Sequence, residues 1–195
     1  MTKNLHSGKP SITNEEINVL PLDAFSGTII VITDPDSLEA VFHEINKHDY
    51  VGFDTETKPV FVRGHYNKVA ILQLALPDKV FIIRLNATGL TPQIIQFFQD
   101  EKIKKAGVAI RDDIKALQHL HPFEPAGFIE LAGLAKEAGL EVESVKKLAA
   151  LLLGFRISKS AQTSNWEAEQ LNEKQISYAA TDAWVCLEIY KKLKE

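Results

Sequence analysis

Two apolar runs near the middle of the chain strongly indicate one local structure. Lys68–Leu76 and Lys79–Leu85 are separated by only two residues, Pro77 and Asp78. Apolar runs that are joined by so short a turn-forming pair are typical of a β-hairpin. The centre of the chain is therefore predicted to supply two adjacent antiparallel strands.

Around this hairpin, further strands and helices are predicted from periodicity and turn signals. The strands are expected at 27–33, 50–53 and 106–110, and the helices at 38–48, 92–99, 111–120 and 173–194. From about residue 128 onward the pattern is mostly helical. Strands with interspersed helices are typical of an α/β or α+β layered domain that is built on a mixed sheet.

The length of 195 residues suits one compact domain with a short extra segment at one end. Residues 1–27 are polar and contain Pro10, Pro21 and Gly27. We interpret them as a leader that lies over the surface or is partly flexible, and residues 28–195 as the domain.

Composition favours a cytoplasmic location. The N-terminus has no apolar segment of the signal-peptide kind, and the longest apolar stretch is too short to cross a bilayer. Cys186 is the single cysteine, so an intramolecular disulfide is excluded and a reducing compartment is expected.

The net charge of −4 and the pI of about 5.9 argue, by themselves, against a nucleic-acid partner. A protein that grips long duplex DNA is usually basic. Two divalent cations held by four carboxylates would neutralise this charge. The positions of the acidic residues therefore decide the question.

The first unusual acidic pair follows the strand predicted at 50–53. Asp54 and Glu56 are two residues apart, so on an extended chain they point to the same side. Adjacent carboxylates repel each other, and one must take up a proton unless a divalent cation binds both. The alternative is a solvated turn, which for an isolated pair of this kind is the more common structure.

A second candidate, Asp113, lies at the start of the helix predicted at 111–120. At about 100° per residue, Asp113 falls in the middle of the apolar side, whereas Asp112 falls on the polar side near Lys115. Asp113 is therefore expected to point inward and Asp112 to be a non-catalytic surface residue. Alternatively, both acids stabilise the first helical turn through the helix dipole.

The third candidate is Asp182, on the C-terminal helix. It shares a face with Ala179, Cys186 and Ile189, where a carboxylate is unfavourable unless it is paired or bound to a metal. Tyr178 precedes it by one turn, so both side chains project the same way. The alternative is a core tyrosine that forms a hydrogen bond with the acid.

In chain order, these motifs resemble the tyrosine-containing DEDD group of 3′–5′ exonucleases. The resemblance spans residues 28–193 and includes Arg63-Gly64, Lys68–Leu74, Lys105–Val108 and Ser164–Trp166. A related subgroup has histidine five residues before the last aspartate, where this chain has Ser177. The motif surroundings are more similar to the exonuclease domain of the Werner syndrome protein than to ribonuclease D.

The resemblance implies a single ribonuclease H-like α/β domain, with a mixed sheet flanked by helices and two Mg²⁺ or Mn²⁺ ions. Asp54, Glu56 and Asp182 would hold the ion that carries the attacking water. Asp54 would bridge to a second ion, which Asp113 would support mainly through water. Tyr178 would orient the attacking water, because its usual pKa near 10 makes it a poor base. The products would be nucleoside 5′-monophosphates.

Six residues are expected to contact the substrate, by phosphate binding or by base stacking. They are Thr55, Arg63, Lys68, Arg156, Lys159 and Trp166. For each basic residue the alternative is ordinary surface charge, and Trp166 could equally anchor its loop. Phe53 could also stack on a base, but a core position is favoured because phenylalanine is so often buried.

The resemblance favours DNA as the substrate, since this sequence lacks the C-terminal helical domains usual in ribonuclease D. One alternative is an exoribonuclease that trims RNA 3′ ends. Another is a catalytically inactive nucleic-acid-binding module, which would be expected to lack an acid or the tyrosine. A third is a structural or small-molecule-binding domain. A helicase is a conceivable partner because the Werner domain is fused to one, although nothing in these residues requires it.

Overall fold

A mixed sheet of six strands lies at the centre of the part of the chain that the structure describes. The structure is a computed structural model, and it describes residues 10–60 and 66–195. The strands are β1 Thr28–Ile32, β2 Tyr50–Thr57, β3 Val69–Ala75, β4 Lys79–Arg84, β5 Lys104–Gly107 and β6 Phe128–Glu130. Their order across the sheet is β1-β4-β3-β2-β5-β6.

β3 pairs antiparallel with both of its neighbours, β2 and β4, whereas the pairs β1–β4, β2–β5 and β5–β6 are parallel. The hairpin predicted from the two apolar runs is confirmed as β3 and β4. Every residue of β3 is buried, because helices cover both faces of the sheet. The predicted α/β architecture with a mixed sheet is therefore confirmed.

The helices follow the strands in an interspersed order and dominate the C-terminal half. They are α1 Asn14–Asn18, α2 Leu38–Ile45, α3 Leu85–Thr88, α4 Pro92–Gln99, α5 Ile110–Leu120, α6 Leu131–Glu137, α7 Val145–Leu153 and α8 Glu173–Lys194. Within the described residues, none of these helices is long and apolar enough to cross a membrane.

Two helical layers enclose the sheet. On one face, Val51 and Phe53 of β2 pack in a core with Phe98 of α4 and Leu117 of α5. On the other face, α8 packs against the central strands. The acidic residues predicted to be functional come from β2, α5 and α8, so both layers contribute to their placement.

Three strands differ clearly from the sequence-based prediction. β2 does not end at Asp54 but continues to Thr57, because Asp54 and Glu56 pair with Gln73 and Ile71 of β3. The strand predicted at 106–110 ends at Gly107, and Ile110 already belongs to α5. β6 was missed, because three residues are too short to show a period and only pairing with β5 defines them.

The described part of the predicted leader, residues 10–27, contacts the rest of the chain. Ile17 of α1 is fully buried, and Leu22 forms an isolated parallel bridge with Arg156. The backbone N–H of Phe25 donates to Thr181 Oγ1 at 3.1 Å. Residues 1–9 lie outside the described residues, and the division of the chain at residue 27 stays a prediction.

Candidate active site

The first acidic pair lies on the face of β2 that α8 covers. Gly52, Asp54 and Glu56 alternate with core residues and therefore point to the same side of the sheet. A Cβ atom at Gly52 would lie 1.9 Å from the carbonyl oxygen of Ala183, so only glycine allows α8 to approach this closely. This close approach brings the neighbouring Asp182 against the acids of β2.

α8 presents Tyr178 and Asp182 to the same region. The helix starts at a capping box, in which the Asn172 and Gln175 side chains bond each other's backbone N–H groups. Both Tyr178 and Asp182 are buried. Asp54, Glu56 and Asp182 each place one carboxylate oxygen within 4.8 Å of those of the other two. The structure thus brings together the three acids that were expected to hold one ion, and their role as metal ligands stays a prediction.

Asp113 reaches this region from the opposite helical layer. It is half-buried in the first turn of α5, and its Oδ1 accepts a hydrogen bond from Thr55 Oγ1 at 2.5 Å. By contrast, the Asp112 side chain is 88% exposed and lies 3.9 Å from the ammonium of Lys115. The prediction that Asp113 points inward and Asp112 lies on the surface is confirmed.

The acids on β2 carry strongly perturbed pKa values. Burial, followed by the charges of Asp182 and Glu56, raises the pKa of Asp54 well above its usual range. Burial, followed by the charges of Asp182 and Asp113, raises the pKa of Glu56 to about 8. Asp113 therefore acts electrostatically on the cluster although it lies outside the group of three.

The two helix-borne acids are perturbed less. Burial raises the pKa of Asp182 to about 6, while Tyr178 and the positive charge of Lys159 oppose that rise. Burial also raises the pKa of Asp113 to about 6, although the hydrogen bond from Thr55 opposes it. Both residues can ionise near neutral pH.

Tyr178 stays a neutral phenol in this environment. Burial, followed by the charges of Asp182 and Glu56, raises its pKa far above the ordinary value of 10. A phenol that does not ionise cannot act as a general base, but it can donate or accept a hydrogen bond. This agrees with the sequence-based argument that Tyr178 is a poor base, and its role in orienting a water molecule stays a prediction.

The donor set suits hard divalent cations. Asp182 is 6% exposed, and its Oδ1 has no hydrogen-bond partner in the described part of the chain. An unpartnered buried carboxylate oxygen beside two further carboxylates is costly unless a cation neutralises it. Mg²⁺ and Mn²⁺ both favour such oxygen ligands, so the residues fit these ions.

The predicted substrate-contacting residues are placed very differently from one another. Lys159 is exposed, and its charge reaches Asp182. Lys68 is exposed directly before β3. The Arg156 side chain donates from Nε to the Leu20 carbonyl at 3.1 Å, which ties the N-terminal segment to its loop. Arg63 lies outside the described residues.

The prediction that Trp166 contacts the substrate is wrong for this structure. Its side chain is fully buried, and its ring centroid lies 5.9 Å from that of Tyr178. An indole with no exposed surface cannot stack on a base, so the alternative of a loop anchor applies. Phe53, favoured as a core residue, is 1% exposed and makes edge contacts with Phe98 and Phe128.

Sequence reasoning missed Glu130, at the end of β6. Its carboxylate accepts hydrogen bonds from the backbone N–H groups of Ala109 and Ile110, at the start of the helix that carries Asp113. A lone glutamate in a segment of mostly helical pattern gives no signal of this contact. Only the pairing of β6 beside β5 brings it there.

The chain is similar to known nucleases over most of its length. A family model described as 3′-5′ exonuclease matches residues 29–195. The Mus musculus bifunctional 3′-5′ exonuclease/ATP-dependent helicase WRN is 33% identical over 184 residues, which cover 89% of this chain and 13% of that protein. Ribonuclease D of Gluconacetobacter diazotrophicus is 30% identical over 169 residues, covering 85% of this chain and 42% of that protein.

A solved structure also superposes well on this fold. The crystal structure of the Aedes aegypti Nibbler EXO domain matches with a TM-score of 0.78 and 26% identity, covering 88% of this chain and 91% of that one. By contrast, the chain spans less than half the length of the two curated relatives. The similarity therefore concerns one domain of those longer proteins.

Proposed function

This chain belongs to the 3′-5′ exonuclease family, and we propose that it hydrolyses the terminal phosphodiester bond at nucleic-acid 3′ ends, with DNA favoured. The products would be nucleoside 5′-monophosphates. The observation that carries the proposal is the convergence of Asp54, Glu56 and Asp182, which each place one carboxylate oxygen within 4.8 Å of those of the other two. Asp182 is buried and Asp54 and Glu56 are half-buried, and three acids so close together repel one another unless a cation binds them.

Four carboxylates are the proposed ligands of two Mg²⁺ or Mn²⁺ ions. Asp54, Glu56 and Asp182 would hold one ion, and Asp54 together with Asp113 would serve the second. When bound, such ions polarise the phosphate and stabilise the developing charge on the leaving oxygen. Cation binding would also keep Glu56 ionised at neutral pH, although its pKa in the cation-free protein is about 8.

The remaining side chains position the reactants. The neutral Tyr178 phenol would hold a water molecule by a hydrogen bond, in line with the bond to be broken. The exposed Lys159 would pair with a phosphate of the strand, since its charge already reaches the site at Asp182. Lys68 and Arg63 are proposed to extend this phosphate contact.

The preference for DNA rests on the similarity to the WRN relative. RNA is the second candidate, because a relative at 30% identity is named ribonuclease D. The WRN relative is named as a bifunctional exonuclease and helicase. A helicase partner for the present chain is therefore a proposal, and so is its cytoplasmic location.

The first experiment separates these substrates. The purified protein would be incubated with 5′-labelled single-stranded DNA, recessed 3′-end DNA and a matching RNA, each with Mg²⁺, with Mn²⁺ or with EDTA. We expect a metal-dependent ladder that shortens from the 3′ end, faster on DNA. The double variant Asp54→Asn, Asp182→Asn should abolish it.

Ser144→Ala provides a control variant. Ser144 caps α7 through Lys147 N–H, and the substitution should cost stability without changing the ladder. Faster shortening of RNA would reverse the preference for DNA. No shortening of any substrate with either metal would contradict the proposed activity and leave the inactive binder as the better interpretation.

A further inference from the structure

Glu130 joins two helix starts next to the site. Its Oε1 accepts hydrogen bonds from the N–H groups of Ala109, at 3.1 Å, and Ala132, at 3.2 Å, and its Oε2 accepts from Ile110 N–H at 3.0 Å. The carboxylate therefore caps α5 and α6 at once. A negative charge at the N-termini of both helices also interacts favourably with their dipoles.

α5 depends on this cap because its own N-cap residue provides none. Ala109 has no side-chain acceptor, and its backbone is left-handed, with φ 59° and ψ 27°. Among the described residues, it is the only non-glycine residue with a positive φ. Such a conformation is unfavourable for a residue with a Cβ atom, so the turn needs outside support to persist.

The same turn determines where Asp113 lies. Asp113 is the fourth residue of α5, and Ile110 is its first. On the other side of the turn, a Cβ atom at Gly107 would lie 2.7 Å from the Phe53 carbonyl oxygen, so the backbone is packed directly against β2. Burial is the main cause of the raised pKa of Asp113, and the nearby charge of Glu130 adds to it.

We propose that Glu130 is a positioning residue for the exonuclease site, which holds the strained turn at Ala109 and thereby places Asp113 against Thr55. This inference rests on the proposed function for its effect on catalysis. Its structural part does not, because the hydrogen bonds from Ala109 and Ile110 exist without substrate or cation. Loss of the carboxylate would remove the acceptor of both N–H groups, of which that of Ile110 belongs to a buried residue, and release the turn.

The test uses Glu130→Gln and Glu130→Ala, with Ser144→Ala as the control for loss of a helix cap away from the site. Mutation of groups that orient metal-ligand side chains typically lowers metal affinity or activity by about 10–100-fold. We expect kcat to fall by about that factor in Glu130→Ala and less in Glu130→Gln. Hydrogen exchange of the Ala109 and Ile110 amides should accelerate in both variants.

A second variant distinguishes positioning from simple destabilisation. Adding Ala109→Gly to Glu130→Ala removes the unfavourable left-handed alanine, because glycine adopts this conformation freely. It should recover part of the lost kcat. Ser144→Ala should leave kcat within about twofold of the parent and the two amides unchanged, since its effect is confined to the α7 cap.

Two failures would look different from each other. If the parent protein shortens DNA but Glu130→Ala retains its kcat and the slow exchange of both amides, the positioning role is overturned. If the parent shortens no substrate, the proposed function fails. Amide exchange, together with Mn²⁺ affinity from titration calorimetry, then decides the role of Glu130. If amide exchange and Mn²⁺ affinity were unchanged in Glu130→Ala, the positioning role would be overturned in this case as well.

Discussion

Thr55 Oγ1 donates a hydrogen bond of 2.5 Å to Asp113 Oδ1, across the boundary between the sheet and α5. Thr55 lies between Asp54 and Glu56 but points to the opposite side of β2. One three-residue segment therefore supplies two acids to the α8 side and fixes a third from the other layer. The expected role of Thr55 as a substrate contact stays a prediction, but the Thr55 hydroxyl already donates its hydrogen bond to Asp113.

Replacing Thr55 by valine should weaken the site with little change of fold. Valine keeps the shape but removes the donor that stabilises ionised Asp113, so the pKa of Asp113 should rise further above about 6. We expect roughly a tenfold loss of kcat at neutral pH and a shift of the acidic limb of the pH–rate profile to higher pH. Thr55→Ser, which keeps the hydroxyl, is the control, and an unchanged profile in Thr55→Val would contradict the argument.

The cation-free protein should lose stability as the pH rises. In the unfolded chain Glu56 has an ordinary pKa near 4.3, whereas in the folded protein its pKa is about 8. Between these values the folded state binds more protons than the unfolded state, so raising the pH favours unfolding. We expect a decrease on the order of 2 kcal/mol between pH 5 and pH 8 in EDTA, measured by urea denaturation.

Two comparisons test whether Glu56 causes this pH dependence of stability. Mg²⁺ or Mn²⁺ should raise the unfolding free energy more at pH 8 than at pH 5.5, because protonated carboxyls do not bind cations. Glu56→Gln should be more stable than the parent at pH 8 in EDTA and should flatten the profile. A Glu56→Gln variant as pH-dependent as the parent would show that other groups dominate.

Much of the architecture could be predicted from apolar patterning, because the runs that form β3 and β4 are nearly continuous and the turn between them is short. β6 could not be predicted in this way. Its three residues depend on parallel pairing with β5, which is a contact between segments more than twenty residues apart. Likewise, β2 continues through Asp54 and Glu56 because β3 pairs with it, against the preference of acids for loops.

The site was predictable where helical phase or strand alternation fixed a direction. Phase placed Asp113 inward and Asp112 outward, and alternation placed Asp54 beside Glu56. Trp166 was assigned wrongly because motif position does not reveal burial. Glu130 gave no signal, since its partners are backbone N–H groups that every sequence contains.

Because Trp166 packs on Tyr178 with no exposed surface, its truncation should act on stability before substrate binding. Trp166→Ala should lower the unfolding free energy by about 3–5 kcal/mol, as for other large buried side chains. Trp166→Phe should lose less and should keep the KM for a short DNA strand unchanged. A Trp166→Phe variant with parental stability but a greatly raised KM would restore the indole as a substrate contact.

Gly52 allows the contact between α8 and β2 on which the three-acid cluster depends. In Gly52→Ala the new methyl group would lie 1.9 Å from the Ala183 carbonyl oxygen, so α8 must move away from Asp54. Forcing extra volume into a packed core typically costs about 1–3 kcal/mol, and we expect exonuclease activity to fall by more than tenfold.

Gly133→Ala in α6 is the control for this prediction. A Cβ atom at Gly133 meets nothing within 4 Å, so the substitution should stabilise the protein by up to about 1 kcal/mol. Denaturation curves and DNA-shortening rates of the two variants would be compared. If Gly52→Ala kept the parental rate, α8 would not need this close approach to bring Asp182 to the acids of β2.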